Sequence, residues 1–270
     1  MRNGHKVHLE KEQETLLITL QAKAHDSRLK KSILNDTKSA EILGQIDYDF
    51  DKFNSYDNGN IMVVRAKQLD AWVEDFLKQH GEAVVLNLGC GLDTRFSRIN
   101  PGPNVSWYDV DYPEVINFRK LFYSGEAGYE MIESSVTADG WIEQMPNDKP
   151  TLVIAEGILE YLTEEEVQTL FNRITNHFSH GQIAFDVMNS FAINAGKENL
   201  KQQTGAEHKW AVDDTSHVDQ LDRKFKRLAD ISVFQSKYMK KLSPKYRLMY
   251  GVMRMIPNFR DMIRLLRYRF

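Results

Sequence analysis

The chain has 270 residues, 42% of them hydrophobic and 27% charged, and its formal net charge is −3. These values exclude a disordered chain, and no stretch approaches the roughly 18 apolar residues that a membrane-spanning helix needs. The first residues lack the apolar run of a secretory signal, and a single cysteine, Cys90, excludes an internal disulfide framework. We therefore expect a cytoplasmic enzyme or binding domain.

Helical patterns dominate the first part of the chain and recur later. A helical region is predicted over residues 8–44, and apolar residues at helical spacing predict a long helix over 61–80. A helix over 113–122 begins at a proline, which is favoured at a first helical position. Thr163 followed by Glu166 has the spacing of a capping box and predicts the start of a helix that runs to about residue 178.

Short β-branched runs alternate with these helices. Strands are predicted over residues 83–89, 105–111, 129–136, 151–156 and 182–187, with weaker candidates over 228–235 and 263–270. Alternating strands and helices joined by right-handed crossovers predict an α/β fold with a doubly wound parallel sheet. Ligands bind such sheets at the carboxyl ends of the strands, so the residues that follow each strand are the candidate site residues.

The first predicted strand leads into a turn that contains Gly89, Cys90 and Gly91. A Gly-x-Gly turn after a strand allows the backbone to approach a nucleotide-like ligand closely, although a tight turn without a ligand is the alternative. A dinucleotide-binding turn would have glycine or alanine at the position of Thr94, so this turn argues against a nicotinamide cofactor. Cys90 has no partner cysteine and is interpreted as a small packed residue.

Acidic residues end the second strand. Asp111 lies 20 positions after Gly91, near the spacing at which a carboxylate accepts hydrogen bonds from ribose hydroxyls. Asp109 is the competing candidate, and its alternative role is a cap or an ion pair. Glu156 ends the fourth strand, where an unpaired buried acid would be costly. We expect it to face the ligand cleft and meet the ammonium group of a methionyl moiety, with an ordinary buried ion pair as the alternative.

Several other chemistries lack their sequence patterns. The eight histidines show no metal-ligand spacing, so no metal is expected. No nucleophile elbow or P-loop is present, and nucleic-acid-binding signatures are absent, so no nucleic-acid partner is expected.

The C-terminal part of the chain is strongly basic. From position 237 onward it contains ten lysines and arginines against one acid, Asp261. Contact with an anionic membrane or an acidic partner is one interpretation. We favour the other, in which the charges are solvated and apolar residues, including Ile256 and Phe259, form an inner face.

Three motifs carry a family resemblance: VVLNLGCGLDTRFSRI over 84–99, SWYDVDYPEV over 106–115 and IAEGILEYLTEEEV over 154–167. Together they resemble the leucine carboxyl methyltransferase superfamily, and within it the bacterial branch of polyketide-biosynthesis O-methyltransferases. The resemblance covers residues 60–178 and continues more faintly through the segment that begins at His208.

The resemblance implies a Rossmann-like class I methyltransferase fold. This is a seven-stranded, mostly parallel sheet with an antiparallel last strand, and a helical N-terminal cover over the cofactor. Residues 1–60 would form the cap and residues 61–270 the methyltransferase domain, as one compact unit. The implied cofactor is S-adenosyl-L-methionine, which becomes S-adenosyl-L-homocysteine on methyl transfer.

The resemblance also assigns roles at the cofactor. Arg65 would pair with the methionyl carboxylate. Gly89 and Gly91 would line the methionyl and ribose end, and Asp111 would hold the ribose hydroxyls. Glu156 matches the family's acid near the transferred methyl.

Two further assignments concern the ends of the site. Ser135 and Val136 stand where the family has an Asp-Leu pair that holds the adenine, and Asp139 is the alternative contact. Tyr161 matches an aromatic residue near the methyl group and is the candidate catalytic residue lining the acceptor site, with a place in the aromatic core as its alternative.

The predicted function is therefore methyl transfer to an oxygen, a carboxylate or a hydroxyl, of a polyketide-like small molecule. The methyl group moves by in-line displacement, to which positioning contributes most of the rate. A carboxylate needs no general base, and no His-Asp pair accompanies the motifs, which favours a carboxylate acceptor. The alternatives are an NAD(P)-dependent oxidoreductase, which the missing third glycine at position 94 disfavours, and a non-catalytic S-adenosylmethionine-binding scaffold with a basic tail.

Overall fold

A computed structural model describes residues 4–53, 59–123 and 125–270. The strands are β1 His5–Lys6, β2 Ile46–Asp47, β3 Ala83–Leu88, β4 Val105–Asp111, β5 Tyr129–Glu133, β6 Thr151–Ala155, β7 Gly181–Met188, β8 Lys226–Ser232 and β9 Ile263–Arg269. The α-helices are α1 Leu16–Ser27, α2 Thr37–Gly44, α3 Gly59–Gln79, α4 Arg95–Ile99, α5 Pro113–Arg119, α6 Glu164–His177, α7 Ser190–Thr204, α8 Pro244–Met253 and α9 Pro257–Arg260.

A seven-stranded sheet forms the centre of the molecule, with the strand order β5-β4-β3-β6-β7-β9-β8. The first five strands in this order, β5, β4, β3, β6 and β7, are parallel to one another. β9 is antiparallel to both β7 and β8. The predicted α/β fold, a mostly parallel seven-stranded sheet with an antiparallel last strand, is therefore confirmed.

The alternating side chains of the central strands build the core. Val84 and Leu86 of β3 pack in a cluster with Phe171 of α6, whereas Val85 lies in a separate cluster with Phe76 of α3. All five residues are fully buried. Helices thus cover both faces of the sheet, as expected for parallel strands that are apolar along their whole length.

Two elements in the first half of the chain, β5 and α5, are shorter than predicted. β5 ends at Glu133 rather than at 136, because the chain leaves the sheet after Ser134, whose N–H donates to the Asp111 carbonyl (2.9 Å). α5 ends at Arg119 rather than at 122.

The predictions for the chain's two ends also need correction. The region over 8–44 contains α1, α2 and a short 3-10 helix over Lys11–Thr15, with non-helical residues between α1 and α2. The strand predicted over 228–235 lies instead at Lys226–Ser232, because the Ser232 hydroxyl accepts from the Phe234 N–H (3.2 Å) and starts a 3-10 turn.

The basic C-terminal segment is partly paired within the fold. Arg264 contacts Asp230 at 2.6 Å, and Arg267 contacts Asp75 at 2.8 Å. The inner-face prediction is wrong for Ile256, which is 50% exposed in the turn that precedes α9, whereas Phe259 is half-buried against Phe191. Within the described ranges, no helix has both the length and the apolar character needed to cross a bilayer.

The predicted capping box at the start of α6 is present. The Thr163 hydroxyl accepts from the Glu166 N–H (3.2 Å), and the Glu166 carboxylate accepts from the Thr163 N–H (2.7 Å). We expect Thr163→Ala to lower the free energy of unfolding by about 1 kcal/mol, because the Glu166 N–H loses its side-chain acceptor. Urea denaturation measures the change, with the exposed Thr37→Ala as the matched control. Equal stability of the two variants would contradict a capping contribution.

Candidate active site

Two adjoining cavities lie at the carboxyl edge of the parallel strands. The first cavity is lined by every residue predicted for the cofactor and catalytic site: Arg65, Gly89, Gly91, Asp111, Ser135, Val136, Glu156 and Tyr161. The second cavity shares Thr15, Thr19, Arg65, Gly157 and Tyr161 with the first. The sheet therefore brings together side chains from the ends of four different strands, from α1 and from α3.

The glycine turn after β3 is shaped so that only glycine fits. Gly89 has φ +59°, and a Cβ there would lie 2.3 Å from Cδ1 of Ile158. Gly91 has φ +50°, and a Cβ there would lie 3.0 Å from Cβ of Leu16 in α1. Positive φ disfavours residues with a side chain. Glycine at both positions therefore allows the turn to pack closely against Ile158 and α1 while its backbone lines the cavity.

Asp111 closes the same turn from β4. Its carboxylate accepts hydrogen bonds from the N–H groups of Gly91 (2.7 Å) and Tyr112 (2.8 Å). Burial raises its pKa to about 6, although those two N–H groups oppose the rise. The carboxylate is thus fixed in orientation at the cavity wall and keeps lone pairs for a ligand's hydroxyl groups.

Asp109, the competing acid, has a structural role. It is fully buried and pairs with Arg119, while its Oδ2 accepts from the Tyr129 hydroxyl (2.6 Å) and its Oδ1 from Nε1 of Trp107 (2.9 Å). Cys90 is buried as expected, and burial holds its thiol pKa well above the usual value. Its thiol therefore stays protonated and is a poor nucleophile.

Glu156 lies in a cluster of cations at the end of β6. It contacts Arg95, Arg65 (3.3 Å) and Lys23 (3.9 Å). Burial would raise its pKa, but Lys23, Arg95 and Arg65 outweigh burial and lower it. Glu156 is thus a member of a buried ion-pair network, the alternative considered for it, and it also forms part of the cavity wall.

Arg65 and Lys23 link the cluster to other elements. Nη1 of Arg65 contacts Asp186 of β7 at 2.9 Å, and Nζ of Lys23 contacts Asp93 at 2.7 Å. Both cations are buried and line the first cavity. Lys23 escaped the sequence analysis because it lies on the predicted N-terminal helix, far in sequence from the motifs, and no local pattern marks a lysine as buried.

The opposite end of the first cavity has an apolar and hydroxyl lining. Ser135 and Val136 contribute to it beside Tyr112 and Val115. Asp139, the alternative, is not part of this wall: its side chain is fully exposed and lies 3.4 Å from Arg173. The choice between them as ligand contacts therefore favours Ser135 and Val136.

The second cavity, of about 270 Å³, is mostly apolar. Its apolar wall includes Ile18, Ile61, Met62, Met188, Ala192, Ala195, Leu200, Met262 and Ile263. Its polar side chains include Glu160, Tyr161 and His208. The rings of Tyr161 and His208 lie 5.0 Å apart, so the segment after α7 returns to the strand-end motif.

Glu160 is a buried acid with an unusual environment. Its Oε2 is buried without a hydrogen-bond partner among the described residues. Burial and the charge of Asp186 raise its pKa to about 8, with Arg65 opposing the rise. The acid is therefore largely protonated at neutral pH.

This shift predicts a pH dependence of stability. The folded chain retains a proton on Glu160 between about pH 4.5 and 8, whereas the unfolded chain has lost it, so ionisation favours unfolding as the pH rises. The Glu160→Gln variant cannot ionise at this position. We expect the free energy of unfolding of the wild type, minus that of the variant, to fall by up to about 1.4 kcal/mol per pH unit across this window. Urea denaturation at several pH values measures it. A constant difference between the two proteins would contradict the shifted pKa.

His208 also lies partly buried at the second cavity. Its Nδ1 is buried without a hydrogen-bond partner among the described residues, and burial lowers the pKa of the imidazole. The neutral imidazole is the resting form, with one nitrogen able to accept a proton. Neither Glu160 nor His208 was singled out from the sequence, because each acquires its environment only through tertiary contacts.

In the part of the chain that the structure describes, no cluster of three or more histidine, cysteine or acidic side chains is arranged to hold a metal ion.

The chain is similar to known proteins. Residues 19–175, more than half of the chain, match the leucine carboxyl methyltransferase family. The tetracenomycin polyketide synthesis O-methyltransferase TcmP of Streptomyces glaucescens is 35% identical over 99% of this chain and 100% of its own length. The S-adenosyl-L-methionine-dependent methyltransferase dpfgK of Gibberella zeae is 34% identical over 79% of this chain and 80% of its own.

Solved structures agree on the fold. An S-adenosylmethionine dependent methyltransferase from Mesorhizobium loti superposes with a TM-score of 0.52 and 14% identity, covering 69% of this chain and 90% of that one. At this identity the match shows the fold alone. The family match and the full-length similarity to TcmP show more: this chain belongs to the leucine carboxyl methyltransferase family.

Proposed function

We propose that the chain is an S-adenosyl-L-methionine-dependent O-methyltransferase that acts on a carboxylate or hydroxyl of a polyketide-like small molecule. The observation that carries the proposal is the first cavity. Its lining includes the glycine turn after β3, the carboxylate of Asp111 and the ion-pair cluster around Glu156. The similarity to TcmP, whose name describes oxygen methylation in polyketide synthesis, supports the acceptor class.

The residues fit the cofactor in both shape and charge. Gly89 and Gly91 line the cavity with backbone alone, and Asp111 offers a fixed carboxylate to a ribose diol. Cations and Glu156 lie at the other end, where Arg65 and Lys23 would meet a methionyl carboxylate and Glu156 its ammonium. Ser135 and Val136 would contact the adenine.

When bound, S-adenosyl-L-methionine supplies an electrophilic methyl group. The chain's own contribution would be to hold the acceptor oxygen in line with that methyl, a role that we assign to Tyr161 in the wall shared by the two cavities. A carboxylate acceptor would arrive ionised, whereas a hydroxyl would need a nearby proton acceptor.

We also propose that residues 1–60 form a cap over the domain of residues 61–270. Thr15 and Thr19 line both cavities, and α1 contributes Lys23 to the ion-pair cluster. A cap of this kind would enclose both reactants and exclude water.

Calorimetric titration with S-adenosyl-L-methionine and, separately, NADH tests the proposal. We expect one molecule of S-adenosyl-L-methionine to bind per chain and NADH to show no heat of binding. NADH binding alone would favour the oxidoreductase alternative. Transfer of a labelled methyl group to an acceptor would then separate an enzyme from a non-catalytic scaffold, and alkaline release of labelled methanol would identify a methyl ester rather than an ether.

A further inference from the structure

We propose that the outer side of α8 and of the turn after it binds the surface of an anionic lipid bilayer. This surface, called the α8 face below, consists of the exposed apolar residues Leu248, Val252, Met255 and Ile256 together with the cations that surround them. The sequence favoured solvated charges and an apolar inner face for this segment. The structure shows a second apolar side, and that side is exposed.

Helix α8 is apolar on two sides. Its inner side packs in the cluster that contains Phe234 and Ile263, through Tyr246, Met249, Tyr250 and Met253. On the outer side, Leu248 is 73% exposed, and Val252, one turn later, is also exposed. A helix on a protein surface needs only one apolar side for core packing, so the outer side indicates a partner.

The apolar surface continues past the end of α8. Met255, in the turn before α9, is 80% exposed, and Ile256 lies next to it. Of the seven large apolar side chains that are exposed among the described residues, four lie within residues 248–256. Single exposed apolar residues are common on proteins, whereas a concentration of this kind marks a contact surface.

Cations surround these apolar side chains. Two further cavities beside α8, of about 510 and 1090 Å³, share Lys240 and Arg247 in their walls. The other cations that line them are Arg254 in the smaller cavity and Lys30, Lys31 and Lys241 in the larger. The positive charge therefore comes from two separate parts of the chain, the segment after α1 and the segment around α8.

Nearby acids do not offset this charge. Asp26 is the one acid among the described residues that line the two cavities. It is buried, and its carboxylate accepts hydrogen bonds from the Ser32 hydroxyl (2.6 Å) and the Leu34 N–H (3.0 Å). Arg264, later in the chain, is paired with Asp230. Within the described ranges, none of the six cations of the two cavities takes part in an ion pair.

A bilayer matches both properties of the α8 face. Lipid phosphates meet the cations, and the boundary with the acyl chains receives protruding side chains such as Met255 and Ile256. A second copy of the chain would set the same cations against one another across a symmetric contact. An acidic protein would need an apolar pocket matched to the protruding turn, whereas a bilayer needs no matching shape.

The α8 face lies at the same edge of the sheet as the candidate active site. Residues 233–262 connect β8 to β9, and β9 begins opposite Met188, the last residue of β7. Met262 and Ile263 line the second cavity. Docking would therefore bring that cavity close to a layer in which apolar acceptors dissolve. This consequence rests on the proposed function, whereas the docking itself does not.

Vesicle co-sedimentation tests the docking on the full chain. We expect the protein to sediment with vesicles of phosphatidylcholine and phosphatidylglycerol, and to stay in the supernatant with vesicles of phosphatidylcholine alone. Raising the salt concentration should release the bound protein, because salt screens the attraction between exposed charges.

A variant with a matched control tests the apolar part of the α8 face. Met255→Asp should weaken binding to the anionic vesicles by at least about 10-fold, because it removes an apolar side chain from the contact and adds a negative charge. Leu121→Asp should bind as the wild type does. Leu121 is also exposed, but it follows α5, which leads to β5 at the other end of the strand order.

A second pair of variants tests the cations. Lys240→Ala combined with Arg247→Ala should weaken binding about 25-fold, since each cation near an anionic surface contributes about fivefold. The control combines Lys78→Ala with Lys226→Ala, because these exposed lysines lie at the opposite edge of the sheet. Circular dichroism verifies that every variant is folded.

Several results would overturn the inference. These are a wild type that binds neither kind of vesicle, equal binding to both kinds, and wild-type binding by Met255→Asp or by the Lys240/Arg247 variant. Binding to poly-L-glutamate without binding to vesicles would assign the α8 face to an acidic protein instead. Self-association in the absence of lipid that Met255→Asp abolishes would assign it to a second copy. Calorimetry with S-adenosyl-L-methionine tests the proposed function separately from all of these.

Discussion

Arg65→Met is expected to lower the free energy of unfolding by about 3–5 kcal/mol, because it leaves two acids buried without their shared cation. Asp186 is fully buried and lies 2.9 Å from Nη1 of Arg65, and Glu156 lies 3.3 Å from its Nε. Methionine fills a similar volume, so the loss reports charge rather than a cavity. Urea denaturation at pH 7 measures it.

Two controls test the cause of this loss. One places the same substitution at an exposed arginine, and the other changes an acid that pairs with Arg65. Arg254→Met replaces an exposed arginine and should change stability by less than about 0.5 kcal/mol. Adding Asp186→Asn to Arg65→Met should recover part of the loss, because one unpaired charge is removed. The loss of stability in Arg65→Met should also be smaller at pH 5 than at pH 8, because at the lower pH protonation neutralises a buried acid that has lost its cation. A pH-independent loss that Asp186→Asn does not reduce would rule out the ion pair as its cause.

Asp111→Ala is expected to weaken S-adenosyl-L-methionine binding by at least about 100-fold. The variant removes a fixed carboxylate that would accept two hydrogen bonds from a ribose diol, and bonds to a charged group contribute about 1.5–3 kcal/mol each. Calorimetric titration measures the change. Asp139→Ala is the matched control, because Asp139 is fully exposed and lies outside the first cavity.

The protonation of Asp111 gives the same prediction a second readout. Its pKa is about 6, so a falling pH converts it to an acid that accepts fewer hydrogen bonds. Affinity in the wild type should therefore drop as the pH falls through 6, and Asp111→Asn, which cannot ionise, should show a weak and flat profile. An Asp111→Ala variant with wild-type affinity would refute the assigned role.

The sequence predicted the elements whose cause is local. The apolar run of β3 and the capping box at Thr163 determine structure within a few residues, and both are confirmed. The end of β5 depends on its neighbour. The ladder between β4 and β5 ends at the pair of Asp111 and Glu133, so residues beyond Glu133 have no strand residue to pair with, and the predicted strand was too long.

The site residues also differ in whether the sequence predicts them. Gly89, Asp111 and Glu156 follow predicted strands, and parallel topology places strand ends side by side, so their convergence in one cavity could be anticipated. Lys23 and His208 reach the two cavities from α1 and from the segment after α7, and no spacing along the chain shows that they meet. The residues that directly follow strands could therefore be predicted from the sequence, whereas Lys23 and His208 could not.

The placement of α1 has a consequence for the rate of turnover. Leu16 lies against Gly91, Lys23 is paired with Asp93, and Thr15 and Thr19 line both cavities. The same helix therefore forms part of the wall of both cavities. One displacement of α1 would widen both cavities together, so that cofactor loading and product release would share a single barrier. A burst of the first product followed by a slower steady state would be its kinetic signature.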